Sequence, residues 1–441
     1  MNFKRYRHLQ SNVNLDHQIR DFRKSFKKIK DHRATNSHYP LHELLMSVFA
    51  MFSLKYVSLL DFDTQTESER NNLKSIYGIK KVISDSGLRK VLDKVSWKSL
   101  RLLFKEQFIK LEVLGILKSY EFLQDYLLVS VDGVEHFNSK NVQCDSCLIK
   151  NHKNGTVSHS HSMLCAVIIH PNESEVFVIG TEPIQQQDGC QKNDCERNAS
   201  VRLMNWLSAS YKNKKFLFLE DALYSTAPNI RQIRENNWDF ILNVKPDGNK
   251  YLFKMWETRK QLKERIFFHT CKENEVEYEL SYMNNVCINE SNSDVKVNFL
   301  HCKQTDKKGK VTIFSWVTSL PIIPHNIMDI MRAGRSRWKI ENETGRHSAF
   351  NTLKNQSYGF EHNYGHGNEN LSCVFAHLML LAFLNDQIIQ KCSTNFKTLW
   401  VATKTKTKLW EMIRSLFRVK NFKNFKELYA DLGLLFKVQI T

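Results

Sequence analysis

The chain of 441 residues carries 64 Lys and Arg against 46 Asp and Glu, a formal net charge of +18 at pH 7, with 42% hydrophobic and 11% aromatic residues. This composition excludes a collagen-like, low-complexity or disordered polypeptide, and the length leaves room for two to three domains at about 150 residues each. A positive excess of that size repels itself in a compact state, so it points to a polyanionic partner, nucleic acid or an anionic surface, with a Lys- and Asn-rich coding bias as the competing explanation.

The first residues are polar and basic, without the apolar core of a secretory signal, and ten scattered cysteines suit a reducing compartment. Cytoplasmic residence, with no membrane partner, is the expectation. Between Lys4 and Arg33 ten cations face three acids, and Ile19, Phe22, Phe26 and Ile29 recur at helical spacing, which predicts a helix with one apolar stripe and a basic remainder suited to phosphates. Helical period continues over 41–60 and 86–118, so 1–120 reads as a helical, basic, DNA-binding domain. Strands are predicted at Tyr126–Val131, Leu164–Ile169 and Glu175–Ile179, a helix at Glu196–Tyr211, a strand at Phe216–Leu219, a short helix at Pro228–Asn236 and a strand at Phe240–Val244. Residues 121–246 thus form the first part of an α/β core, a mixed sheet flanked by helices. Alternating patterns over 247–320 predict an antiparallel β insertion. Helices resume near Asn326, giving a second core part over 321–375 and a helical basic region over 376–441, with eleven cations from Lys391 onward. The most apolar run, Leu378–Leu384, reads as a core helix rather than a membrane span.

Carboxylates stand where strands are expected to stop. Asp132 follows Leu127–Val131 and precedes Gly133; Asp221 follows Phe216–Glu220. Such residues project from a rigid element at the sheet edge, and two of them can converge on a hard divalent cation, although a turn or cap role is the simpler reading of either alone. A third carboxylate is expected in Arg335-Ser336-Arg337-Trp338-Lys339-Ile340-Glu341-Asn342-Glu343, where Arg337 and Glu341 are four apart on one helix face. Glu341 is favoured as metal ligand and Arg337 as phosphate contact.

Ser130-Val131-Asp132-Gly133, Leu219-Glu220-Asp221-Ala222-Leu223-Tyr224, the Arg335–Glu343 run, Phe350-Asn351-Thr352-Leu353-Lys354-Asn355-Gln356 and Glu361-His362-Asn363-Tyr364-Gly365-His366-Gly367 together resemble a bacterial insertion-sequence transposase. The similarity is to the DDE branch in which a β-rich insertion precedes the catalytic Glu, and it covers roughly 120–375. Asp221 lies 89 residues after Asp132, and Glu341 lies 120 after Asp221. The resemblance implies an RNase H-like fold in which Asp132, Asp221 and Glu341 bind two Mg²⁺ ions, with Mn²⁺ able to substitute. It further implies strand cleavage and strand transfer at terminal inverted repeats, DNA contacts from Arg337, Lys339, Lys354, His362 and His366, and a homodimer on paired DNA ends. Two departures stand against the family pattern. Gly334 and Ser348 occupy positions where a Tyr and a Lys are expected, and Gly345–Ala349 intervene after Glu343, turning a continuing helix by about 500°. An inactive transposase scaffold that binds specific DNA is therefore the alternative, and a DNA or an RNA backbone fits the same site chemistry.

Cys144-x₂-Cys147 is a metal-type spacing, and Cys190, Cys195, His152, His159 and His161 follow within fifty residues. A structural zinc on Cys144, Cys147 and Cys195 is one reading, beside reduced loop thiols and a zinc-dependent hydrolase site. Glycines flanking His366 favour a turn and a backbone or phosphate contact there.

Overall fold

The computed structural model describes residues 13–34, 36–185, 195–340 and 365–440. Helix α1 (Leu15–Lys27) begins where the Asn14 side chain accepts a hydrogen bond from the His17 amide, with Asp16 in its first turn and Lys24 and Lys27 in its last, each sign at its favourable end of the helix dipole. Its apolar stripe is buried. Phe22 and Phe26 pack with ring centroids 4.7 and 6.0 Å from Phe49 of α2 (Leu41–Ser53), and burial of each such ring contributes about 2–3 kcal/mol. Arg20, Lys24, Lys27 and Lys28 are exposed on the opposite face. Helices α3 (Leu59–Asn72), α4 (Asp85–Leu92) and α5 (Trp97–Val113) complete the N-terminal layer.

The sheet then begins with β1 (Glu121–Phe122), β2 (Tyr126–Ser139), β3 (Leu148–Asn151), β4 (Val157–Ile168) and β5 (Phe177–Ile184), followed by β6 (Phe216–Glu220) and β7 (Asp239–Asn243). Strands β2, β4 and β5 form an antiparallel meander, while β6 pairs parallel to β2 and β7 parallel to β6. The lateral order β5-β4-β2-β6-β7 is the mixed sheet flanked by helices that the sequence predicts. Parallel neighbours need crossovers, and α6 (Glu196–Ser210) and α7 (Ala227–Glu235) provide them. All five residues of β6 are buried, as expected of a strand covered on both faces.

The β-rich segment opens differently from expectation, with a helix, α8 (Lys250–Leu262). Its buried residues are Leu252, Phe253 and Trp256, and interspersed charge masks their helical spacing. Strands β8 (Phe267–Glu273), β9 (Val276–Cys287), β10 (Lys296–Thr305) and β11 (Val311–Thr318) then form an antiparallel meander. Trp316, Val317 and Thr318 pair with Asn243, Leu242 and Ile241 of β7. The insertion therefore extends the core sheet to eleven strands.

Helix α9 (Ile327–Ser336) follows, then a 3-10 turn over Arg337–Lys339. Helix α10 (Leu371–Cys392) is long and apolar enough to cross a membrane by length and composition, but its apolar window is wholly buried, packed against α2, α5, β2 and β5. Helices α11 (Thr394–Thr403), α12 (Lys406–Val419) and α13 (Phe425–Phe436) close the chain. The two cationic ends are joined. Asp16 accepts hydrogen bonds from the Phe425 and Lys426 amides, and the Asn72 side chain donates to the Phe417 and Lys420 carbonyls and accepts from the Phe422 amide. Several C-terminal cations are engaged internally: Lys391 with Glu173, Arg418 with Glu69, Lys420 with Asp431, and Arg414 with the Leu54 and Lys55 carbonyls. The ends thus build one helical body, not two separate basic flanks.

Candidate active site

Asp132 does not end its strand. Parallel pairing between β2 and β6 stops at Ser130 opposite Leu219, while β2 continues against β4, with Asp132 opposite Cys165. Asp221 directly follows the last residue of β6. Both aspartates therefore sit two residues beyond the same cross-strand pair on adjacent parallel strands, and the two-residue period puts them on the same face as that pair. Asp221 also shapes its turn, since its Oδ1 accepts from the Leu223 amide at 2.8 Å.

Glu196, the first residue of α6, is a carboxylate that the linear pattern did not single out. A Cβ built on Gly133 would meet Glu196 Oε1 at 2.6 Å, so the missing side chain admits this carboxylate, on the strand face opposite to that of Asp132. Burial, and next the charge of Asp221, raise the Glu196 carboxyl above its ordinary range. Buried Tyr224 lies among these groups. Its phenol is raised first by burial and then by the charges of Glu196, Glu220, Asp221 and Asp132. Glu220 is fully buried, accepts one hydrogen bond from Asn229 at 2.7 Å, has no partner for Oε1 among the described residues, and is pushed up to about 8 by burial. Carboxyls such as Glu196 and Glu220, raised by burial and by the charge of Asp221, would be relieved by a hard divalent cation, which takes oxygen donors. Asp132, Asp221 and Glu196 do not by themselves close on one ion, however. Among the described residues, the one group of three or more such side chains whose donor atoms all lie within 4.8 Å is elsewhere.

Other expected residues are placed as follows. Arg337 is buried, and its carbonyl accepts a 3.4 Å hydrogen bond from the Ser130 hydroxyl, which seats the 3-10 turn against β2. The α-helix itself ends at Ser336, so the four-residue face assumed for Arg337 does not begin on a regular helix. Lys339 differs from the expected DNA contact. Its ammonium donates to the carbonyls of His170, Pro171 and Glu173 at 2.6, 2.8 and 2.6 Å, and burial holds it down at about 8. A half-buried cation with three acceptors is fully occupied in fastening the β4–β5 connection. Glu341, Lys354, His362 and the Gly345–Ala349 stretch lie outside the described residues. Gly334 has a packing cause: a Cβ there would stand 2.6 Å from Nε1 of buried Trp316, so the tryptophan fills the space a larger residue would need.

The cluster within 4.8 Å is Cys144, Cys147, His161 and His366. Cys195, expected with the two cysteines, is instead an exposed N-cap of α6, outside this group. His159 and His161 are two apart on β4, and only His161 points its Nε2 at the thiols, at 3.4 Å from each. His366, expected at DNA, has its Nε2 3.3 Å from Cys147 Sγ and 3.2 Å from His161 Nε2. Two thiols with two imidazoles are a donor set of the type zinc takes. The glycines around His366 are steric requirements: a Cβ on Gly365 would strike the Arg89 guanidinium at 1.9 Å, and one on Gly367 the Asp93 carboxylate at 2.2 Å. Asp93 accepts from the amides of Asn368, Glu369, Asn370 and Leu371, capping α10. Burial pushes its carboxyl up, but these amides together more than offset it and leave it below the usual carboxylate range.

No protein-family model matches the chain, and no curated protein matches it. Among solved structures, the cryo-EM structure of a piggyBac transposase synaptic complex with hairpin DNA is similar with a TM-score of 0.39 at 11% identity, over 98% of this chain and 80% of that one.

Proposed function

We propose that the protein is a DDE-type transposase of the insertion-sequence kind, which cleaves DNA at terminal inverted repeats and joins the freed ends to a target, acting as a homodimer in the cytoplasm. The observation that carries this reading is the common register of Asp132 and Asp221 beyond the Ser130–Leu219 pair, with Tyr224 feeling the charge of both. Glu341 is the third ligand by resemblance.

In this reading Asp132, Asp221 and Glu341 would hold Mg²⁺, with Glu196 beside them. Two such ions, when bound, supply positive charge to the attacking and leaving oxygens of an in-line phosphoryl displacement. The chain itself contributes position: both aspartates come from paired strands, and buried Tyr224 and Glu220, each tied to Asn229, fix the segment around Asp221. Arg20, Lys24 and Lys27 offer a cationic helix face for the DNA backbone.

The test is cleavage of a plasmid carrying the gene with its flanking DNA, with and without Mg²⁺. The wild type is expected to cut at the element ends only with the metal, and Asp132→Asn and Asp221→Asn are expected to abolish cutting. Cutting retained by both variants would overturn the assignment.

A further inference from the structure

We propose that Cys144, Cys147, His161 and His366 bind one structural zinc ion, and that this ion clasps the start of α10 to the β2–β4 end of the sheet. The argument is metric. Tetrahedral coordination at about 2.3 Å to sulfur and about 2.0–2.1 Å to nitrogen requires donor separations of about 3.8 Å for S···S, about 3.5 Å for S···N and about 3.3 Å for N···N. The cluster has Cys144 Sγ to Cys147 Sγ at 3.8 Å, sulfur to His161 Nε2 at 3.4 Å twice, Cys147 Sγ to His366 Nε2 at 3.3 Å, and His161 Nε2 to His366 Nε2 at 3.2 Å. These are five of the six edges of one coordination tetrahedron, and the sixth, Cys144 Sγ to His366 Nε2, is within 4.8 Å.

Hydrogen bonding alone gives no reason for this convergence. A thiol or a neutral imidazole brings one hydrogen to one acceptor, whereas here four donor atoms surround a single point. The S₂N₂ set with tetrahedral geometry selects zinc over cations that prefer oxygen ligands. Four protein ligands leave no open position, and the Phe137 ring, 4.5 Å from the His366 ring and 5.9 Å from that of His161, lies over the imidazoles, as in a structural rather than a catalytic zinc site.

The ligands come from three places: a tight turn in which the Cys147 amide donates to the Cys144 carbonyl, strand β4, and the loop entering α10. The same loop is held from the other side by Asp93 of the helical layer. Zinc therefore fixes the sheet to a helix start that the helical layer already grips, tying together segments more than 200 residues apart in the chain.

Full-length protein purified without chelator is expected to contain about one zinc per chain by elemental analysis. Cys147→Ser and His366→Ala should each remove it, Cys195→Ser should leave it, and Co²⁺ exchange should give the intense visible bands of a tetrahedral thiolate site. A strong chelator should lower the Tm and added Zn²⁺ should restore it. His366→Cys, which keeps four ligands, should retain metal even where the alanine variant folds poorly. The proposal is overturned if zinc is absent and Zn²⁺ leaves the Tm unchanged, or if Cys195→Ser removes the metal while His366→Ala keeps it. None of these readouts involves DNA, so they stand apart from the proposed strand transfer.

Discussion

Glu196 Oε1 occupies the space that a side chain on Gly133 would need, only 2.6 Å from where its Cβ would lie. This contact joins a helix start to the strand that carries Asp132, and it makes Gly133 a steric condition for the acidic centre. Alanine in a strand is ordinarily better than glycine by about 0.5–1 kcal/mol, so Gly133→Ala should fold. It should displace Glu196 and, if Glu196 helps hold the cation, leave a smaller rise in Tm on adding Mn²⁺ than the wild type is expected to show. An undiminished Mn²⁺ response would show that Glu196 is irrelevant to the cation.

Lys339 separates a structural from a DNA-contacting role. Losing three charge-assisted hydrogen bonds to half-buried backbone carbonyls should make Lys339→Met less stable by roughly 2–4 kcal/mol in urea unfolding. A phosphate contact would behave otherwise, lowering the salt slope of DNA binding by about one. Filter binding across a salt series should find that slope unchanged.

Gly334 predicts intolerance. Gly334→Tyr would push a ring into Trp316, which is 1% exposed, and overpacking of this kind costs about 1–3 kcal/mol or more. A lower Tm is expected, and Trp316→Ala in the same chain should recover part of the loss. Simple additivity of the two variants would contradict the contact.

His377 sets an acid limb of stability. It is fully buried on α10, its Nε2 is 2.8 Å from the Thr181 hydroxyl and its Nδ1 is 2.7 Å from the Cys373 carbonyl, so Nδ1 carries the proton and Nε2 accepts. Burial holds its pKa down at about 4. The unfolded chain therefore binds more protons between about pH 6.5 and 4, and stability falls as pH drops through that window, by about 3 kcal/mol at most. Urea unfolding at pH 7 and 4.5 should show this loss, and His377→Gln should flatten it.

Asp93 caps α10 from another part of the chain. Asp93→Asn keeps the shape but removes the charge that four amides share, and a loss of about 1–3 kcal/mol is expected. Because its carboxyl is lowered in the fold, this stabilisation is present above the ordinary carboxylate pKa and disappears on further acidification. Thermal unfolding at pH 7 and pH 3 should show the variant and wild type converging at the lower pH.

Local signals in the sequence determined the element types. Ile19, Phe22 and Phe26 recur with the helical period, and the apolar runs at Leu127 and Phe216 are short enough to be strands; both patterns arise from residues near each other in the chain. The same local reading singled out Asp132, Asp221 and the Cys144–Cys147 pair by their contexts. It missed α8, where charge surrounds the three residues that become buried, and it took Asp132 for a strand end because the apolar run stops there while the pairing does not. Tertiary structure alone decided which residues meet. Strand register put Asp132 and Asp221 in one row, the absent Gly133 side chain admitted Glu196, and β11 joined the insertion to β7. Cys147 found His366 rather than Cys195, and Lys339 found three carbonyls. The physical reason is range: periodicity reports which face of an element is buried, whereas partners hundreds of residues apart depend on how those faces are stacked.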